Sequence, residues 1–545
     1  MEISEVKSEG THALADLERN FDLIIVGAGF AGMYMLHRAR GLGLSARVFE
    51  TGSGVGGTWY WNRYPGARCD VESMQYSYQF DEDLQQEWQW SERYSPQPEI
   101  LEYANHVADR YGLRADIQFN TRVDWAHFDD GTGRWRVGTS DKLEWTAQFV
   151  VMGTGCLSST NKPNFPGLDE FRGDTFHTGQ WPHKDVDFTG KRVAVIGTGS
   201  SAIQSIPIIS EQASHLTVFQ RTPNYMVPAH NRPLDLAYEA EVKADYAALR
   251  DRARLRPGGI DIEINLDSAL EANHQELQER FEEKWACGGF GFIGSYGDLM
   301  LDQTANDTAA EFVRNKIREI VDDPKVADLL CPDNVFGCKR LCVDINYWQT
   351  YNRPNVTLVD VSDESIECLT PKGLRSSGEE FEFDAIVFAT GFDAMTGALL
   401  RIDIRGLEGK KLADKWVEGP KTYLGLSIAE FPNLFTVTGP GSPSVLTNML
   451  PSIEQHVDWI ADCIAYMRQN GFERIASEPA AEAGWVEHVR ETAGLSLRAN
   501  CSSWYVGANI PGKPRVFMPY MGGYPAYLEK CADVVAKGYD GFALS

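Results

Sequence analysis

The sequence predicts an α/β fold of two Rossmann-like dinucleotide-binding domains joined by a helical insertion. Three observations carry that expectation: a strand, glycine turn and helix beginning at Phe21, the same unit again at Lys191, and a charged, helix-rich stretch after the repeat. With 545 residues the chain exceeds one ordinary domain and can bury at least two cores.

Phe21-Asp-Leu-Ile-Ile-Val26 is an apolar run suited to a buried parallel strand. Gly27-Ala-Gly29-Phe-Ala-Gly32 follows at once. The first glycine permits the tight turn, the second lets backbone N–H groups approach a pyrophosphate, and the third lets the helix pack on its strand. That helix is expected to reach Arg40 and to stop at Gly41. A second strand, Ala46 to Glu50, ends in an acid whose carboxylate accepts ribose hydroxyls and repels a 2′-phosphate.

Lys191-Arg-Val-Ala-Val-Ile196 and Gly197-Thr-Gly199-Ser-Ser-Ala202 repeat the unit, with Ser200 and Ser201 at the helix start and Ala202 small enough for close packing. Its second strand, Leu216 to Phe219, runs into Gln220-Arg221-Thr222 instead of an acid. A cation and a hydroxyl there suit a 2′-phosphate, so NADPH is expected over NADH; the competing reading of Arg221 is a solvated surface cation. Two sites with opposite ribose chemistry suggest one nucleotide held and one consumed, and FAD is the natural occupant of the first.

The apolar strands Phe149 to Gly155 and Ala385 to Gly391 are placed to carry the chain between the two domains. The division expected is a leader over 1–20, a first FAD-binding part over 21–153, a first NADPH-binding part over 154–227, a helical insertion over 228–336, a second NADPH-binding part over 337–390 and a second FAD-binding part over 391–545. In the insertion, Leu277, Phe281 and Trp285 share a helical face ending at Gly288-Gly289. Phe312, Val313, Ile317, Ile320 and Val321 form another face before Pro324.

A formal charge of −26 repels a phosphodiester backbone and an anionic leaflet, which argues against nucleic acid and membrane as partners. Met1 to Asn20 has no apolar core of a signal peptide, and a cytoplasmic protein is expected. Ten cysteines without a C-x-x-C pair read as reduced thiols. Without a histidine cluster beside them, no metal site is expected.

Phe171-Arg-Gly173-Asp-Thr-Phe-His177-Thr-Gly-Gln-Trp181-Pro182 matches a fingerprint of type I Baeyer–Villiger monooxygenases, and Gly56-Gly57-Thr58-Trp59 through Asp70 resembles that family's second signature. The resemblance runs from about Phe21 to the C-terminus. Within the family, Gly439 to Val445 and Ser503 to Asn509 are most similar to the phenylacetone and steroid enzymes. It implies oxidation of a ketone to an ester or lactone through a C4a-peroxyflavin, with FAD, NADPH and O2, on bulky aryl or cyclic ketones; no obligate protein partner is evident in the sequence. An N- or S-oxygenating flavin monooxygenase and a non-enzymatic redox sensor remain the alternatives.

The resemblance also implies roles. Arg340 matches the family's catalytic arginine and Asp70 the carboxylate paired with it. Gly57, Thr58, Trp59 and Tyr76 join the FAD site. Lys339 supplements Arg221 at the 2′-phosphate or is a surface lysine, and Trp504 either donates to the nicotinamide nucleotide or packs as core. Ser442, Val445 and Met449 are expected at the substrate pocket. His177 reads as a structural hydrogen-bonding residue in preference to a general base.

Overall fold

The computed structural model of this chain describes residues 19–545. The leader expected over 1–20 therefore lies outside the described residues except for its last two, and Asn20 already opens strand β1 (Asn20–Val26). Leu23, Ile24 and Ile25 are completely buried, as a strand covered on both faces requires. Helix α1 (Phe30–Gly41) and strand β2 (Ala46–Phe49) follow. Gly41 does not stop α1; it is the last helical residue, Leu42 is the C-cap, and Gly43 at φ +67° supplies the left-handed turn that ends it.

β1 pairs in parallel with β2 on one side and with β3 (Glu144–Met152) on the other. The second sheet contains β4 (Asp174–His177), β5 (Arg192–Ile196), β6 (His215–Gln220), β7 (Val356–Asp360) and β8 (Ala385–Phe388) in the order β7-β6-β5-β8-β4. Every pairing in it is parallel. Helix α2 (Ser200–Gln212) connects β5 to β6. Past this sheet the chain returns to the first one, where β9 (Leu434–Thr436) lies parallel to β3. This is the doubly wound pattern expected from the two glycine turns, with the first domain built from both ends of the chain.

The insertion leaves and re-enters at one place, because Met226–Pro228 pairs in parallel with Cys342–Asp344. Its helices α3 (His274–Cys287) and α4 (Gln303–Ile320) pack Phe281, Phe312, Val313 and Ile317 into the same core as Val193 and Ile203 of the second domain. Its earlier part behaves differently. Val242, Tyr246, Leu249 and Ile260 belong to the core of the first domain, which also contains Tyr34 of α1 and Val457 of helix α5 (Met449–Asn470). One insertion thus spans both domains. No helix among the described residues is long and apolar enough to cross a membrane.

Candidate active site

In the first glycine turn, Gly27 has φ +100° and a Cβ there would fall 2.7 Å from the carbonyl oxygen of Gly153. At Gly32 a Cβ would lie 1.8 Å from the Gly27 oxygen, so the third glycine is dictated by helix–strand contact. Gly29 and Gly57 approach so closely that a Cβ on Gly57 would come 2.8 Å from Gly29 Cα. This brings exposed Thr58, which opens the next helical turn, to the start of α1. α1 has no side-chain cap and no acid in its first turn, an arrangement suited to an anionic ligand.

Glu50 stands at the end of β2, 5% exposed. Its two carboxylate oxygens accept from Ala28 N–H and Gly52 N–H, each at 2.7 Å. Burial pushes its pKa up and these bonds oppose the rise. The acid thus ties the glycine turn to the strand end, and its oxygens retain capacity for further donors. Trp59 and Tyr76 are both buried and satisfy each other, the indole N–H donating to the phenol oxygen at 3.0 Å.

The second turn repeats this geometry: Gly197 has φ +111°, and a Cβ would sit 2.5 Å from the Ala389 oxygen. A Cβ at Gly199 would meet no protein atom within 4 Å, so packing inside the protein does not explain that glycine. Ser200 is exposed and Ser201 half-buried at the helix start, and each hydroxyl has one side-chain neighbour. Ser200 Oγ is 3.1 Å from Cys342 Sγ, and Ser201 Oγ is 3.0 Å from Thr178 Oγ1. Arg221 is exposed and Thr222 half-buried. Lys339 is partly buried, and burial followed by the nearby Arg221 charge lowers its pKa. Neither cation forms an ion pair among the described residues. The two cations are close enough for Arg221 to act on Lys339, and the nearby Asp333 carboxylate acts in the opposite direction.

The fingerprint segment lies across the two chain crossings between domains. Phe171 is buried, and Gly173 is required because a Cβ would strike its ring at 2.4 Å and the Asp384 oxygen at 2.5 Å. Trp181, preceding Pro182, is buried with its ring 5.2 Å from that of Phe176. The crossings run side by side, with Asn161 N–H donating to Gly391 O and Asp393 N–H to Ser159 O. His177 touches both: its Nε2 lies 3.3 Å from Asn161 O and 3.2 Å from Thr390 Oγ1, while Nδ1 accepts from Gly179 N–H at 3.0 Å. An accepting Nδ1 places the proton on Nε2. Burial lowers the histidine's pKa, so the ring is a neutral clasp.

Arg340 stands where all parts of the chain converge. Its Nε donates to Asp70 Oδ2 at 2.6 Å, Nη2 to Asp70 Oδ1 at 2.8 Å, and Nη1 to the Val445 carbonyl at 2.7 Å. The guanidinium lies 5.1 Å from the ring centre of Phe290, which the insertion contributes. Burial opposes its charge, and Asp70 outweighs burial, holding its pKa above the ordinary value. About a quarter of each side chain remains exposed, 26% for Arg340 and 23% for Asp70, leaving the cation reachable. Phe290 escaped the sequence reading because an aromatic between glycines carries no signal of its partner.

The three residues expected at a substrate pocket divide. Val445 is 5% exposed and reaches Arg340 through its carbonyl. Met449, half-buried, begins α5 and packs beside Val445 and Trp504. Ser442 requires correction: it is fully buried with its hydroxyl donated to the Gly439 carbonyl at 2.7 Å, so it lines no accessible surface. The loop folds inward because Tyr520 N–H and Trp485 Nε1–H bind the carbonyls of Ser442 and Gly441. Trp504 is half-buried, 4.2 Å from the Tyr505 ring centre, and its indole N–H has no partner among the described residues.

Residues 21–243 match a family described as flavin-binding monooxygenase-like. A Baeyer–Villiger monooxygenase of Pseudooceanicola batsensis is 44% identical over 95% of this chain and 95% of its own. The chain belongs to the Baeyer–Villiger monooxygenase family. As a member, it is a flavin- and NADP-dependent monooxygenase. A solved steroid monooxygenase bound to NADP has 52% identity and a TM-score of 0.92, with 96% of this chain and 99% of that one covered. A phenazine N-monooxygenase of Lysobacter antibioticus is 42% identical over 96% of this chain and 97% of its own.

Proposed function

We propose that this enzyme converts bulky cyclic ketones to lactones or esters with FAD, NADPH and O2. The Arg340–Asp70 pair carries the reading: it supplies a permanent, oriented and partly exposed cation at the meeting point of the first domain, the insertion and the C-terminal part. When bound, FAD reduced by NADPH would supply the electrons that activate O2, from which one oxygen atom is inserted beside the carbonyl carbon. Gly27, Gly29, Gly32, Glu50, Gly57 and Thr58 would hold FAD. Gly197, Gly199, Arg221, Thr222, Lys339 and Trp504 would hold NADPH, the cations taking the 2′-phosphate.

Arg340 stabilises the negative charge that develops on the ketone oxygen when its carbon is attacked, and Asp70 keeps the guanidinium plane fixed so that no reorganisation is needed. Phe290 and the buried wall around Val445 reduce water at that cation, which strengthens each electrostatic contact. The steroid-monooxygenase relative supports a polycyclic substrate. A panel of steroid, aryl and simple cyclic ketones with NADPH and air tests this; oxygen-inserted products from the larger rings are expected, and their absence across the panel overturns the reading.

The phenazine relative favours a second reading, oxygen transfer to an aromatic nitrogen. A competition assay between phenazine and a cyclic ketone separates the two: N-oxide as the dominant product would replace ketone oxidation as the main activity.

A further inference from the structure

We propose that Cys338 and Cys501 form a reversible dithiol–disulfide site, oxidised by a hydroperoxide, that cross-links the segment bearing Arg340 to the C-terminal loop bearing Trp504. Cys338 lies two residues before Arg340 and Cys501 three before Trp504. The two thiols are free and line the same cleft. They are buried, with exposures of 3% and 8%, yet both line one cleft of about 350 Å3 together with Gln303, Asp333 and Asn500. A small oxidant can enter from there.

The surrounding backbone holds the pair in register. Arg498 Nε donates to the Gly337 carbonyl at 2.8 Å, and Leu497 N–H donates to the Met300 carbonyl at 3.0 Å. Each loop is therefore pinned next to its cysteine. Cys501 Sγ donates to the Leu497 carbonyl at 3.4 Å, which holds that side chain in place.

The two sulfurs have different chemistry. The neighbouring Cys501 thiol holds the Cys338 thiol below its ordinary range, with help from the Lys339 and Arg498 charges and against burial. Burial instead pushes the thiols of Cys69, Cys342, Cys463 and Cys531 upward. Cys338 is accordingly the nucleophile and Cys501 the resolving thiol, since the thiolate is the reactive form.

In the first step the Cys338 thiolate attacks one peroxide oxygen. The S–O bond forms, the O–O bond breaks, and the departing hydroxide takes up a proton, leaving a sulfenic acid. Cys501 then attacks that sulfur. The S–S bond forms, the S–O bond breaks, and water leaves with the Cys501 proton. Two thiols are oxidised by two electrons in total, one hydrogen peroxide is reduced, and two waters are produced. A monooxygenase that takes up O2 and NADPH releases this oxidant whenever oxygen is reduced without transfer to substrate.

The bond would close a long loop and constrain the unfolded chain, so the oxidised protein should melt at higher temperature. The experiment uses full-length FAD-loaded enzyme, reduced with dithiothreitol, desalted and titrated with hydrogen peroxide. Peptide mass spectrometry without reductant should find a Cys338–Cys501 cross-link lighter by two hydrogens. A rise of several degrees in Tm should accompany it, and dithiothreitol should reverse both. Cys501→Ser should lose the Tm rise and leave Cys338 labelled by dimedone. A wild-type protein whose Cys338 proceeds to sulfinic acid without cross-linking would overturn the proposal. So would a cross-link through Cys342 or Cys69, or a Tm rise that persists in Cys501→Ser.

Discussion

Arg340 and Asp70 meet fork to fork, Nε to Oδ2 at 2.6 Å and Nη2 to Oδ1 at 2.8 Å, although 270 positions separate them in the chain. The third donor, Nη1, goes to the Val445 carbonyl. Three guanidinium N–H donors are thereby used, one on each nitrogen, which holds the cation in one orientation and leaves a further N–H on Nη1 and on Nη2.

Replacing Arg340 with Ala should therefore abolish product formation while both nucleotides still bind. Loss of a single preorganised group that stabilises charge costs on the order of 10²–10³ in rate. Arg340→Lys should recover little of it, because an ammonium cannot engage both Asp70 oxygens in one plane. Steady-state product assays with flavin absorbance as the binding control check this, and an Arg340→Ala enzyme of near-normal turnover would move the chemistry to another residue.

Arg221→Ala should raise KM for NADPH much more than for NADH. Loss of a charge-assisted hydrogen bond is worth about 1.5–3 kcal/mol, roughly ten- to a hundredfold in KM. Lys339→Ala should act in the same direction. Equal effects on the two coenzymes would return both cations to the solvated-surface reading.

Gly66→Ala should loosen the contact between domains. Gly66 has φ +78°, and a Cβ there would fall 2.2 Å from the Gln204 carbonyl oxygen of α2. Gln204 also binds Tyr64 OH at 2.8 Å and Arg68 O at 3.0 Å, so this turn is the seat on which α2 rests. A left-handed alanine alone costs about 1–2 kcal/mol. Thermal melting and the KM for NADPH should both worsen; a variant unchanged in both would show that the contact yields without consequence.

Glu454→Gln should stabilise the enzyme, increasingly as pH rises from about 5 to 8. Glu454 is 6% exposed, accepts from Gln79 and Phe80 N–H through Oε1 and has no partner for Oε2, and burial pushes its pKa up to about 8. Below its unfolded pKa the carboxyl is neutral in both states. Between the unfolded and folded values only the unfolded chain ionises, so native stability falls as pH rises and levels off above about 8. Glutamine keeps the Oε1 bonds and removes the titration. Parallel Tm profiles for the two proteins across this range would sink the assignment.

Much of the molecule is local in the sequence. The glycine turns could be read because each glycine answers a contact within its own strand–turn–helix unit or a neighbouring strand, as Gly32 does with Gly27. Glu50 and Arg221 were legible from their positions at the ends of β2 and β6, where the turn geometry leaves few alternatives. Asp70 and Arg340 were legible only through the family signature; no spacing rule joins them.

Tertiary structure decided the rest. Ser442 was expected at the pocket only through the family resemblance, yet Tyr520 and Trp485 bind carbonyls of its loop and the residue is fully buried. Ser200 and Ser201 stand at the helix start where the sequence placed them, and only the fold shows that Cys342 and Thr178 are their side-chain neighbours. Phe290 under Arg340, the His177 clasp on both crossings and the Cys338–Cys501 pair all depend on segments that meet only after the two domains and the insertion have packed. Sequence periodicity reports which face of an element is apolar; it does not report which distant element will cover that face, because that choice is made by the packing of the whole core.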